Sequence, residues 1–265
     1  MCETLTIDKD KVKSSFALAA HSYDELATLQ RKVGVELLQK LSKKNALYPI
    51  VDMGCGTGFI TQQLIDRDYL GQVIAIDIAL SMVQKMKMKL KCFQNVAYIC
   101  ADAEFVPLEN HSVDTIISNL ALQWCQNLMA VFSGFNSILK KEGQLVFSTF
   151  GPRTLQELKQ AWSEVDHYTH VNEFYSADDI HDFLKGAGFK NIKIEKKCYQ
   201  SHYATVIELM RELKGIGAHN VLSQRNRKTT SKANMQAMIS AYERNTGQNK
   251  ISATYEILFV TAQGA

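Results

Sequence analysis

A chain of 265 residues, 46% hydrophobic and 22% charged, can bury a full core as one domain, which excludes disorder on a large scale. Its formal net charge of +3 gives no argument for nucleic acid, which calls for a strongly basic domain. Six cysteines (Cys2, Cys55, Cys92, Cys100, Cys125, Cys198) lack C-x-x-C or Cys/His pairing, so neither a zinc site nor a disulfide framework is expected. The N-terminus is charged from Asp8 to Lys13 and no run reaches the 18 or so apolar residues of a membrane span, so the expected location is the cytoplasm.

In chain order, residues 8–42 read as two helices, the first ending near Ala20 and the second carrying Leu26, Leu29, Val33, Leu37, Leu38 and Leu41 at helical spacing. Tyr23 falls at the break between them, either in a lid over a site or as an ordinary aromatic near a helix cap. Strands near 48–52, 72–77, 95–100, 113–119 and 143–150 then alternate with helices near 59–68, 81–92, 127–140 and 154–168. That rhythm predicts a parallel α/β sheet whose strand carboxyl ends gather Asp52, Asp77, Asp102, Asn119 and Phe150 around one cleft. A helix near 177–187 and strands near 191–198 and 254–261 follow, separated by an extra segment at 205–250 in which Ile207–Leu213 and Met235–Tyr242 look helical. No linker-like composition divides the chain, so a single domain over 1–265 is expected, with that insertion covering a substrate.

The stretch Ile50 to Gly58 is a buried strand entering a glycine turn and then a helix, where Gly54, Gly56 and Gly58 let backbone approach a ligand. Asp77 ends the next strand 23 positions after Gly54, about the offset at which a carboxylate holds ribose hydroxyls. The dinucleotide pattern would need glycine where Phe59 stands, and no G-x-x-x-x-G-K-[ST] occurs. No cradle for a pyrophosphate or a triphosphate is therefore evident.

D-x-G-x-G-x-G resembles the first motif of class I S-adenosylmethionine-dependent methyltransferases. The resemblance continues in Asp77-Ile78, Ser81-Met82, Ala101-Asp102-Ala103 and Ser118-Asn119-Leu120. It implies a Rossmann-like seven-stranded sheet in the order 3-2-1-4-5-7-6, with the last strand antiparallel. The stretches Phe16–Gln30, Ser118–Leu128 and Leu209–Ala218 look like the malonyl-acyl-carrier-protein O-methyltransferases of biotin synthesis, a likeness running from about residue 8 to 262. Those enzymes esterify the free carboxylate of a malonyl thioester, so the implied partner is acyl-carrier protein bearing malonyl-phosphopantetheine, with neither nucleic acid nor membrane.

By matching motif positions, Asp52, Gly54, Gly56 and Gly58 would form the cofactor loop, Asp77 and Ile78 the ribose end, Met82, Asp102 and Ala103 the adenine end. Asn119 and Leu120 would lie near the methionine portion, with Tyr23 and Gln30 closing from the N-terminal lid. Tyr23, Arg153, Arg211 or Lys214 would position the malonyl carboxylate, Arg211 and Lys214 being three apart on a helix. Arg153 reads equally as a surface residue at a helix start, and Trp124 as a channel wall or a core cover. Glu164, Asp166, His167 and His170 read as solvated polar residues rather than metal ligands. The basic runs Lys85–Lys91 and Arg225–Lys228 are either solvated faces or docking sites for an acidic partner. Two other readings stay open: methylation of a free small carboxylic acid, as in the similar trans-aconitate methyltransferases, and a methyltransferase-like assembly protein that binds a partner without methylating it.

Overall fold

A computed structural model of the chain describes residues 7–42, 48–218, 220, 230–247 and 251–265. The basic run Arg225–Lys228 lies outside them.

Three helices come first: α1 (Lys9–Ala19), α2 (Tyr23–Leu26) and α3 (Thr28–Leu38). Asp8 caps α1 by accepting the Lys11 N–H. The expected second helix is thus two, because the chain leaves helical geometry at Ala27 (φ −74°, ψ 46°). The Arg31 guanidinium donates to the Asp24 carbonyl, which the break leaves without a helical partner.

The elements that follow are β1 (Ile50–Met53), α4 (Phe59–Ile65), β2 (Val73–Asp77), α5 (Leu80–Lys89), β3 (Val96–Cys100) and β4 (Val113–Asn119). A 3-10 turn (Leu122–Trp124) leads to α6 (Leu128–Ile138), β5 (Leu139–Phe150), α7 (Gln156–Ser163), α8 (Ala177–Gly186) and β6 (Lys190–Tyr203). The described chain ends with α9 (Val206–Gly215), α10 (Lys232–Thr246) and β7 (Ile251–Gln263).

Among the described residues these strands form one sheet in the order β3-β2-β1-β4-β5-β7-β6, as the sequence implied. β7 runs antiparallel to both neighbours, while the pairs from β3 to β5 are parallel. Both faces are covered, which explains why β1 is buried along its whole length and reads as a continuous apolar run around Asp52. One face packs α3, α4, α7, α9 and α10 through residues such as Leu37, Leu64, Trp162, Leu209 and Tyr242. The other packs α6 and α8 through Phe132, Phe135, Ile180 and Leu184.

Four elements differ most from their expected bounds. β5 starts at Leu139 because Leu139 already pairs with Val113, and a bulge with Glu142 at positive φ (59°) absorbs the residues before Gln144. β6 and β7 are longer than expected because they pair with each other as one ribbon from Lys190–Gln263 to Tyr203–Ile251. Exposed Lys193, Lys196 and Lys197 on the edge strand guard it against further pairing. α7 is shorter than the expected 154–168, entering through Leu155 at φ 55° and ending at Ser163.

Candidate active site

The β1–α4 loop and the carboxyl ends of β2, β3 and β4 enclose a cleft of about 670 Å³, counting space open at its mouth, with α1 as its roof. Strand topology alone brings these ends together. Gly54 lies so close to Ala121 that a Cβ would stand 2.2 Å from the Ala121 Cβ. Gly56, at φ 52°, is the open part of the cradle, since a Cβ there would meet only Tyr23, at 3.9 Å. Gly58 faces away and packs against Met86 of α5.

Asp77 holds the loop in place, its Oδ2 accepting the Gly56 N–H at 2.9 Å and its Oδ1 the Ala79 N–H at 2.8 Å. Each carboxylate oxygen keeps a second lone pair for a hydroxyl in the cleft. Ile78, Met82, Asp102, Ala103, Asn119 and Leu120 line the same cleft. Asn119 ties two elements, donating to the Gln30 carbonyl at 2.9 Å and accepting from Ser148 Oγ at 2.9 Å. Leu120 sits at φ 49°, an uncommon conformation for a branched residue that marks a constrained position beside the cleft.

Asp52 is not in the lining. Strand alternation turns it towards α4, where Thr61 Oγ1 donates to its Oδ2 at 2.7 Å while Oδ1 is buried with no hydrogen-bond partner. Burial pushes its carboxyl up to about 7, with Thr61 opposing and Asp77 adding.

A second, larger cavity of about 2130 Å³, again counting open space, adjoins the first. The two share Phe16, Tyr23, Leu120 and Trp124, so Trp124 walls both, with Phe16 edge-on to it at 5.5 Å between ring centroids. Burial, Asp77 and Asp24 push the Tyr23 phenol up, which keeps it protonated as a donor. Gln30, Arg211 and Lys214 line the second cavity, and neither cation has a partner among the described residues. Arg153 lines neither cavity; its side chain is exposed and its backbone N–H donates to Glu256 at 3.0 Å.

Several residues of the second cavity were not anticipated. His170 is packed rather than solvated: its ring stacks on Trp162 at 3.7 Å and 9°, and its Nε2 lies 2.8 Å from Asp166 Oδ1. The early end of α7 makes this possible, because the chain turns back and carries Asp166 and His170 onto Trp162. Glu164 instead pairs with Arg244 and Asn245. Glu212 is pushed up by burial, opposed by the Tyr203 hydroxyl that donates to it at 2.9 Å. Lys9 also went unnoticed, although Lys9, Val12 and Phe16 at helical spacing all line the first cavity.

The basic run on α5 does more than face solvent. Lys85 donates to the carbonyls of Ala20 and His21 at 2.7 and 3.1 Å, and Lys89 binds Asp24 Oδ2 and the Thr57 carbonyl at 3.0 Å each. These two lysines clasp the N-terminal helices to the glycine loop. Among the described residues no group of three His, Cys, Asp or Glu side chains could hold a metal ion, and no helix is long and apolar enough to cross a membrane.

Comparison with known proteins places this geometry. Residues 51–147 match the family described as Methyltransferase domain. The malonyl-[acyl-carrier protein] O-methyltransferase of Gallionella capsiferriformans is 38% identical over 261 residues, covering 96% of this chain and 90% of that protein. The enzyme of the same name from a Methylovorus species is 38% identical over 260 residues, covering 96% and 88%. The biotin biosynthesis bifunctional protein BioHC of Cellvibrio japonicus is 36% identical across 97% of this chain and 51% of its own length. Among solved structures, phosphoethanolamine N-methyltransferase 2 of Haemonchus contortus, in complex with S-adenosyl-L-methionine, superposes with a TM-score of 0.59 at 15% identity, over 93% of this chain and 57% of that one. Geranyl diphosphate C-methyltransferase of Streptomyces coelicolor, bound to S-adenosyl-L-homocysteine, gives 0.53 at 14% identity, over 88% and 78%. The solved structures establish the fold, and the long relatives at well over 30% identity establish the family: the chain is an S-adenosylmethionine-dependent methyltransferase and belongs to the malonyl-[acyl-carrier protein] O-methyltransferase family.

Proposed function

We propose that this chain esterifies the free carboxylate of a malonyl group held as a thioester on acyl-carrier protein, starting the pimeloyl moiety of biotin. The observation that carries the reading is the seam at which two cavities meet: Phe16, Tyr23, Leu120 and Trp124 belong to both, and Arg211 and Lys214 stand on the wall of the second. The similarity to malonyl-[acyl-carrier protein] O-methyltransferases supports this acceptor.

The first cavity fits S-adenosylmethionine. The cradle at Gly56 is space that a Cβ would fill, and Asp77 and Asp102 line the cavity with carboxylates that suit hydroxyl and amino groups. Asp77 would hold the ribose hydroxyls and Asp102 the adenine amino group, with Ile78, Met82 and Ala103 flanking the ring. Gly54, Asn119, Leu120 and Tyr23 would bound the methionine end, and Gln30 would close the acceptor side. The chemistry that S-adenosylmethionine supplies when bound is an electrophilic methyl on a sulfonium, with a neutral thioether as leaving group.

The residues here have three tasks. Apolar Phe16, Leu120 and Trp124 exclude water at the seam. Arg211 and Lys214 attract and orient the acceptor carboxylate. Tyr23, protonated, donates a hydrogen bond without acting as a base, and none is required, because a malonyl carboxylate is already ionised near neutral pH. Residues 8–42 serve as a lid and the described parts of 205–250, α9 and α10, as a substrate cover within one domain.

The test is single-turnover transfer of radiolabelled methyl from S-adenosylmethionine to malonyl-carrier protein, with free malonate and acetyl-carrier protein as controls. Label only on the malonyl carrier, as a base-labile ester, is the expected result. Label on free malonate would favour a free-acid methyltransferase, and cofactor binding without transfer a non-catalytic assembly protein; either result would overturn the proposal.

A further inference from the structure

Lys9 opens α1 and places its ammonium inside the cofactor-side cavity, 2.9 Å from Asp102 Oδ1 and 2.8 Å from Glu104 Oε1. The three side chains are only 23%, 23% and 14% exposed, so this is a partly buried network rather than a surface pair. Asp102 Oδ1 also accepts the Glu104 N–H at 3.0 Å, which leaves Oδ2 without a partner among the described residues. Glu104 Oε1 accepts the Gln126 N–H at 2.6 Å as well. One ammonium therefore joins α1, the loop after β3 and the segment after the 3-10 turn.

Burial would lower the Lys9 ammonium, but the Cys125 sulfur, Glu104 and Asp102 outweigh it and hold it above the ordinary lysine range. The C-terminal half of the helix is secured separately, by Phe16 against Trp124, by Ser81 Oγ donating to the Ala17 carbonyl at 3.2 Å and by Lys85 donating to the Ala20 carbonyl at 2.7 Å. α1 packs on a small cluster of Ala19, Ala20, Ala79 and Met82, apart from the two large clusters that flank the sheet. Segments with so little buried apolar surface open at low free-energy cost, so a polar contact at the far end matters.

We propose that Lys9 is a positioning residue for the adenine end of the cofactor: it occupies Asp102 Oδ1, so that Oδ2 is presented to the exocyclic amino group, and the same contact latches α1 over the bound nucleoside. The inference rests on the assignment of this cavity to S-adenosylmethionine. It adds a residue that the motif pattern does not supply, and it makes closure of α1 and recognition of adenine one event.

Calorimetric titration of S-adenosylhomocysteine into the wild type, Lys9→Met, Lys9→Arg and Asp102→Asn tests it. The same titrations are run with S-inosylhomocysteine, which carries an oxygen in place of the amino group, and amide exchange across residues 9–19 is followed without ligand. Lys9→Met should lose at least tenfold in affinity for the adenosyl compound and at least fivefold less for the inosyl compound. Exchange in α1 should quicken about tenfold, and Lys9→Arg should restore most of both. Unchanged affinity in Lys9→Met, an equal loss on both nucleosides, or unchanged exchange would overturn the proposal. If Asp102→Asn binds S-adenosylhomocysteine like the wild type, the assignment of the cavity fails; if Asp102→Asn is weakened and Lys9→Met is not, only the role of Lys9 fails.

Discussion

The first cavity, proposed for the cofactor, takes its carboxylates from the ends of neighbouring strands, Asp77 at the end of β2 and Asp102 after β3, whereas the second, proposed for the acceptor, collects Gln30, Phe150, Trp162, His170, Arg211 and Tyr255 from distant parts of the chain. In the first, backbone N–H groups of Gly56 and Ala79 fix Asp77, so the sheet itself orients the polar groups. In the second, helices and turns supply most of the side chains, with Phe150 and Tyr255 added from β5 and β7, and they contact one another, as in the stacking of His170 on Trp162. A site built on strand ends is set by topology, while one built on helix faces can change its acceptor without disturbing the sheet.

Substitutions on the two sides should therefore separate cleanly, beginning with the largest effect. Asp52 lies under the cofactor loop, protonated in the folded chain below about 7 but ionising near 3.8 when free. The unfolded chain gives up its proton first, so this group's contribution to stability falls as pH rises from about 4 to about 7 and is level above. That penalty is roughly 4 kcal/mol at most. Denaturant melts of Asp52→Asn across this range should lack the slope that the wild type carries; an identical slope would remove Asp52 from the account.

Asp77→Ala should weaken S-adenosylhomocysteine binding by at least about 100-fold, or roughly 3 kcal/mol, since it removes the proposed ribose contact and frees the Gly56 N–H. Calorimetry measures this, and a loss under fivefold would contradict the ribose role. On the other side, Arg211→Ala should raise the KM for malonyl-carrier protein about tenfold and leave cofactor affinity unchanged. Steady-state kinetics with paired calorimetry would reveal a mixed effect, which would break the separation. Arg153→Ala is the smallest, with kcat/KM expected within about twofold of the wild type, because its side chain lines neither cavity.

Much of the cofactor side was legible in the sequence because each strand end carries its chemistry in a contiguous motif. Gly54 and Gly56, Asp77-Ile78, Asp102-Ala103 and Asn119-Leu120 all reach the cleft, and the sheet order followed the resemblance they established. Asp52 and Gly58 belong to the same motif yet face α4 and Met86, since a motif fixes sequence spacing and strand alternation decides direction. The acceptor side has no such period. His170 read as a solvated residue because the end of α7 at Ser163, and the turn that brings Asp166 beside it, depend on packing against Trp162. Lysines 85 and 89 read as a charged face because nothing local tells that the carbonyls of Ala20, His21 and Thr57 lie across from them. The break at Ala27 was hidden for a like reason, the helical spacing of leucines continuing straight through it.

The measurement that bears most directly on the two-cavity account is methyl transfer to malonyl-carrier protein by Met210→Trp, which places a larger side chain into the acceptor-side cavity from α9. The account predicts kcat/KM lower by at least about 100-fold with the affinity for S-adenosylhomocysteine within twofold of the wild type. Transfer at the wild-type rate in a folded variant would contradict it, because the acceptor would then reach the methyl group by another route.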